Sequence, residues 1–166
     1  MSYPMIMLGG LSIPAEAGPE QQDTERLVGR ARVRMGNGAG VQMTHWGKAA
    51  GSISGSGLLP LGLDGLDYSA ELELRLAKPR SIRQTGTSFT LNADCRPDRE
   101  PWAFAMLDGR WRYTPCVRVD RAVTVTPVAD ATDYLVCWMP MYTVWADEPV
   151  SNMSGRHGWS ITFEEA

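Results

Sequence analysis

Histidine and lysine are nearly missing from this chain. His45 and His157 are its only imidazoles, and Lys48 and Lys78 its only ammonium side chains. The histidines stand in glycine–tryptophan settings (HWG and RHGW) far apart in the sequence, and Asp64 and Asp67 do not complete a ligand set at metal spacing. Imidazole, the side chain that titrates nearest neutral pH, is therefore available for acid–base work at two unrelated places only. Cysteine is scarce too. Cys95, Cys116 and Cys137 are odd in number and form no CxxC pair, which excludes a disulfide framework and favours a reduced setting with buried, inert thiols.

Positive charge is not in excess: 16 Lys+Arg face 19 Asp+Glu, for a formal net of −3. Nucleic acid is not expected as the main partner, because counterion release needs clustered cations over a favourable net field. No apolar run approaches the ~20 residues that span a bilayer, so no membrane insertion is expected. The opening MSYPMIMLGG lacks the basic and apolar regions of a signal peptide. Apolar residues at i, i+3, i+4 and i+7 are never sustained for three turns, so a long helix is not expected.

The glycine-rich stretch 45–69, HWGKAAGSISGSGLLPLGLDGLDYS, fails each phosphate or nucleophile template. Lys48 precedes the glycines rather than following the second one, as a P-loop requires. GSISG places Ile53 where a nucleophile elbow needs serine. The glycines read instead as places where a strand flattens or is crossed closely, and PLGLDGLDYS as a turn-rich connection. The carboxylate pairs Asp64/Asp67, Asp94/Asp98 and Asp130/Asp133 lie in turns, where Asp caps backbone donors. Glu71 and Glu73 share an exposed strand face. No catalytic residue, cofactor or metal is assigned.

What is abundant is alternation. In ELELRLAK, Leu72, Leu74 and Leu76 face one way, while Glu71, Glu73 and Arg75 face the other. In RLVGRARVRM, Leu27, Gly29, Ala31, Val33 and Met35 oppose Val28, Arg30, Arg32 and Arg34. AVTVTPV and GWSITF are shorter examples. Gly9-Gly10 and Asp108-Gly109 mark two-residue hairpins, the second between strands whose Trp102, Phe104, Trp111 and Tyr113 are placed for aromatic pairing. MGNGAG turns the arginine-striped strand into VQMTHW, and VTVTPVADATDYLVCWMP reads as strand, turn, strand. Residues 14–25 and 146–157 read as polar arms rather than sheet. These patterns predict an all-β fold, sandwich-like, with hairpins and extended arms, as one domain over 1–166. A composition dip at AKPRSIRQTG suggests a division into 1–80 and 81–166.

The arginine stripe is the charge feature that stands out, since Arg forks suit protein contacts better than Lys does. It is expected either to be a solvated face or to meet carboxylates of Glu71, Glu73 or a partner. The interface candidates are Arg30, Arg32 and Arg34, then His45 and Trp46, then Gly55 and Gly57, whose bare backbone would admit strand addition between subunits.

The segments YPMIMLGGLSIP, RMGNGAGVQMTHWGK, ISGSGLLPLGLDGLDYSAELELRLAKPRSI, YLVCWMPMYTVWADEP and WSITFEEA occur in an order that resembles small structural proteins of tailed-bacteriophage and prophage tail-gene clusters. The likeness is strongest at 33–80 and 134–166, weak over 86–130, and one of texture rather than of a catalytic motif. It implies a β-rich subunit of the tail tip or baseplate, made in the bacterial host cytoplasm and residing in the virion. Its implied partners are copies of itself and other phage tail proteins. A host-surface glycan is the alternative partner, stacking on Trp46, Trp111 or Trp145. A cell-wall or capsule hydrolase is a third reading, for which no carboxylate or Cys/His arrangement stands out.

Overall fold

In the computed structural model, residues 4–166 are described; Tyr3, which opens the first of the resembling segments, lies outside them. The strands are β1 (Met7–Leu8), β2 (Leu11–Ser12), β3 (Gln21–Arg34), β4 (Gly40–Gly57), β5 (Leu72–Arg75), β6 (Arg80–Gln84), β7 (Ser88–Thr90) and β8 (Asp94–Cys95). They continue as β9 (Trp102–Leu107), β10 (Arg110–Thr114), β11 (Cys116–Val119), β12 (Ala122–Val125), β13 (Tyr134–Trp138), β14 (Pro140–Ala146), β15 (Val150–Met153) and β16 (His157–Glu165). The only helical element among the described residues is a single 3-10 turn, Ala15–Ala17. The fold is all-β, with several antiparallel sheets.

The chain forms two compact units that interleave in sequence. The composition dip had suggested contiguous halves divided near residue 80. Instead, the first unit joins the segment ending at Ser12 to Glu73–Tyr142, and the second joins Ile13–Leu72 to Thr143–Ala166.

In the first unit, β10–β9–β13–β6 form one sheet and β11–β12–β7 another. Their inward positions make one core: Phe89 of β7, Ala103 and Ala105 of β9, Val123 and Val125 of β12, and Tyr134, Val136 and Trp138 of β13. A core drawn from two sheets is the sandwich that period-two burial predicts. The segment VTVTPVADATDYLVCWMP is indeed strand, turn, strand, but its turn carries the chain from one sheet to the other. Asp108 (φ 49°) and Gly109 (φ 75°) close the β9–β10 hairpin in the left-handed region that a two-residue turn demands. Of the four expected aromatics, Phe104 and Tyr113 pair edge to face at 6.4 Å, whereas Trp102 stands opposite Cys137 and Trp111 opposite Met106.

In the second unit β16 is central. It pairs β4 from His157↔Gly57 to Glu164↔Ala50, and on its other side β15 along its first half and the end of β14 along its second. Trp159, Ile161 and Phe163 of β16, Ile53 and Ala50 of β4, and Val144 and Ala146 of β14 are buried. Fully burying the larger of these, such as Ile161, Phe163, Ile53 and Val144, is worth about 1.5–3 kcal/mol each.

Two of the expected loops are sheet. Residues 21–25 begin β3, paired from Gln21↔Ser54 to Glu25↔Ala50, and 150–153 are β15. Both segments are mostly exposed, so backbone pairing holds them and no apolar alternation marks them.

Candidate functional site

β3 and β4 are 14 and 18 residues long, well beyond the usual strand. β16 covers β4 only as far as Ala50, and β3 is the sheet edge. Residues 26–34 and 40–49 therefore run on as a two-stranded arm with no third strand. From Arg30 to Gly40 every residue of the arm is exposed.

Strand geometry sorts the arm's side chains. Arg30, Arg32 and Arg34 stand opposite Thr44, Gln42 and Gly40 and share one face with them. The other face carries Ala31 and Val33 against Met43 and Val41. Val33, Met35, Met43 and Trp46 are 49%, 57%, 47% and 52% exposed, which is unusual for side chains of this size in a folded chain. The arm is amphipathic, tied at its base to the C-terminal residues by Ala49 N–H donating to Glu165 Oε2 at 2.7 Å and by Lys48 donating to the Ala166 carbonyl.

The register slips at one place. Gly29 stands opposite Trp46 and Arg30 opposite Thr44, so His45 is the extra residue of a β-bulge. The slip brings Trp46 to the apolar face. There its indole lies over Gly29, where a Cβ would meet Nε1 at 2.2 Å. Arg26 lies over Gly47 in the same way, a Cβ there meeting Nη2 at 2.6 Å. A bulge re-aims a side chain, and this one presents an indole beside an imidazole halfway along the arm.

The arginine ladder is held only lightly. Arg32 donates from Nε to Gln42 Oε1 at 3.1 Å, and Arg34 from Nη1 to the Gly38 carbonyl at 3.2 Å. Among the described residues no carboxylate comes within ion-pair distance of Arg30, Arg32 or Arg34. Glu73, one of the anticipated partners, pairs with Arg75 at 2.7 Å.

Gly55 and Gly57 lie toward the other end of β4, and the chain itself fills the space beside them. A Cβ at Gly55 would meet Trp159 Cζ2 at 2.6 Å, and one at Gly57 would meet the Ala17 carbonyl carbon at 2.1 Å and Glu16 O at 2.2 Å. The 3-10 turn crosses β4 here. Leu58 N–H donates to Glu16 O at 2.8 Å, and Trp159 Nε1 donates to Ala17 O at 3.0 Å. The close backbone crossing anticipated for these glycines is one within the chain. Of the seven candidates, the structure thus brings Arg30, Arg32, Arg34, His45 and Trp46 together on the arm and leaves Gly55 and Gly57 in the body.

No family of proteins, no curated protein and no solved structure matches the chain.

Burial pushes the thiols of Cys95, Cys116 and Cys137 up, away from the thiolate form a nucleophile needs. Hydrogen bonds from Arg121, Arg96 and Arg118 hold Asp94, Asp98 and Glu100 below the usual carboxylate range, as fixed counterions. Among the described residues no three His, Cys, Asp or Glu side chains converge as metal ligands.

Residue-type reasoning passed over Met35, Met43 and Gln42, which complete the arm's two faces. One signal for them is in the sequence: residues 26–48 hold Arg26, Arg30, Arg32, Arg34 and Lys48 without a single carboxylate.

Proposed function

We propose that the chain is a structural subunit of a bacteriophage tail, of the tip or baseplate, which assembles as an oligomer and ties neighbouring tail proteins together. The observation that carries this reading is the arm. A two-stranded ribbon is marginally stable alone in water. One that exposes four large apolar side chains and three unpaired arginines has a surface suited to a protein partner. Assembly by complementary surfaces needs no acid, base or cofactor. The resemblance of the sequence segments to phage tail proteins supplies the setting.

The glycan alternative rests on Trp46, Trp111 and Trp145, which are 52%, 37% and 48% exposed. They stand on three separate strands, and the guanidinium of Arg83 lies 5.3 Å from the Trp111 ring centroid. The assembly reading is favoured.

The test is to purify intact particles from a host carrying the gene with an epitope tag. The expected result is this chain in fixed stoichiometry on the tails, localised by electron microscopy at one end. Particles that form, infect and contain none of it would refute the proposal.

A further inference from the structure

The second unit carries an open cleft of about 280 Å³ beyond the end of β4 that is remote from the arm. One wall comes from the connection after β4, including Pro60 and Asp64. The other comes from β15 and the start of β16, including Pro149, Asn152, Met153 and His157. The volume falls below the roughly 300–1,000 Å³ usual for small-molecule sites and suits one or two protein side chains. Met153, which lines it, is 66% exposed, and Leu59 and Val150, each next in sequence to a lining residue, are 49% and 74% exposed.

One carboxylate, Asp64, lines the cleft, and Glu148 immediately precedes its lining residue Pro149. Tyr68, whose Oη donates to Leu63 O at 2.8 Å, feels both Asp64 and Glu148, and after burial these two carboxylates are what push its phenol up. Among the described residues neither Asp64 nor Glu148 has a cation within ion-pair distance. The whole chain shows the same division of charge. Residues 26–48 hold five cations and no carboxylate, leaving eleven cations against all nineteen carboxylates elsewhere.

The arm and the cleft thus complement each other: arginines without an ion-pair partner and exposed apolar side chains on one side, Asp64 with the adjacent Glu148 and the exposed Met153 on the other. They cannot meet within one molecule. The arm tip is where β4 begins, at Gly40, and the cleft is where it ends, past Gly57. At about 3.3 Å per residue, that separates them by roughly 55 Å along a hydrogen-bonded ribbon.

We infer that the arm of one copy docks over the Asp64 cleft of the next, with Glu148 beside it, a head-to-tail contact between copies of this chain. Such a contact uses two different surfaces on each molecule, so it propagates into a ring where the rotation closes and into a filament where it does not. The arginine face of the arm lies against the mouth of the cleft, with one guanidinium entering toward Asp64 and Met35 at the arm tip reaching Met153. This deepens the assembly reading by naming the partner and both surfaces.

Sedimentation of the purified full-length chain tests it. The wild type is expected to associate with rising concentration at low salt and to dissociate as salt rises. Two triple or double variants, Arg30→Glu/Arg32→Glu/Arg34→Glu and Asp64→Lys/Glu148→Lys, are each expected to weaken association about a hundredfold or more. All five side chains are exposed, so circular dichroism and melting should stay at wild-type values. Mixed together, the two variants present two matched contacts, the Glu arm with the Lys cleft and the unchanged arginine arm with the unchanged acidic cleft, and are expected to restore association in assemblies where the two alternate. A wild type that stays monomeric, or a mixture that stays monomeric, would overturn the inference. A monomeric wild type found on tails would sink this contact and leave the tail proposal standing; an associating one absent from tails would do the reverse.

Discussion

The indole of Trp46 occupies the space that a side chain at Gly29 would need, so closely that a Cβ there would meet Nε1 at 2.2 Å. At the far end of the same ribbon Gly57 is closed off differently, by the backbone of Glu16 and Ala17 at 2.2 and 2.1 Å. A side chain can swing away, but backbone in a crossed turn cannot. Gly29→Val is therefore expected to expel Trp46 and loosen the arm while changing global stability by no more than about 0.5 kcal/mol. Gly57→Val is expected to destabilise the chain by about 3 kcal/mol or more. Denaturant melts read the second effect, and protease cleavage within 26–48 reads the first. A Gly57→Val protein that melts with the wild type would show that the crossing is not rigid.

How much of this was legible beforehand depends on which faces are buried. Period-two alternation separated Arg30, Arg32 and Arg34 from Ala31, Val33 and Met35 correctly, because that division is a property of the extended backbone and needs no tertiary information. Asp108-Gly109 was readable because few dipeptides tolerate positive φ twice. Gln21–Glu25 were not, since an edge strand exposed on most positions carries no apolar pattern and is held by backbone hydrogen bonds to Ala50–Ser54. The bulge at His45 has no local marker. The cleft joins Asp64 to Asn152 and His157 through β-pairing between distant segments, which no reading of neighbours reveals.

Arg96 is fully buried in the first unit and satisfied on every side. Its guanidinium donates to the Met5 carbonyl at 2.8 Å, the Leu76 carbonyl at 3.1 Å and both oxygens of Asp98 at 2.7 and 2.8 Å. It pins three separate segments, so removing its counterion leaves a buried charge without its strongest acceptor. Asp98→Asn is expected to destabilise by about 2–3 kcal/mol, less than the 3–5 of a fully enclosed pair because the Asp98 side chain is 38% exposed. Arg96→Met orphans the two carbonyls as well and should be the worse variant. Equilibrium denaturation in urea compares them, and equal stability of wild type and Asp98→Asn would remove this pair from the structural account.

Asp98 and two other arginine-paired carboxylates are expected to contribute to the acid limit of stability. Hydrogen bonds from Arg121, Arg96 and Arg118 lower Asp94, Asp98 and Glu100 below their unfolded values. A carboxylate depressed in the folded state binds fewer protons there than when unfolded. Its stabilisation is complete above the unfolded value near pH 4 and is lost as pH falls through the folded one. Melting temperature should therefore change little in response to these groups from about pH 7 to 5, and fall steadily below about pH 4. Asp98→Asn should make that acid slope shallower. An Asp98→Asn slope as steep as the wild type's would show that this carboxylate does not set it.

The β9–β10 hairpin isolates the energetic role of a single backbone conformation. Gly109 sits at φ 75° with nothing within 4 Å of where its Cβ would be, so any penalty for a side chain there comes from the backbone rather than from crowding. Left-handed geometry is unfavourable for an L-residue by about 1–2 kcal/mol, more for a β-branched one. Asp108 at φ 49° already accepts that geometry, as Asp and Asn do more readily than most residues. Gly109→Val is thus expected to destabilise by about 1–2 kcal/mol, Asp108→Asn by close to nothing, and Asp108→Val by a loss resembling that of Gly109→Val. Chemical denaturation of the three variants checks the order. A Gly109→Val protein as stable as Asp108→Asn would mean that the hairpin does not hold its two central residues in the left-handed region, and that the Phe104–Tyr113 pairing across the strands fixes the turn instead.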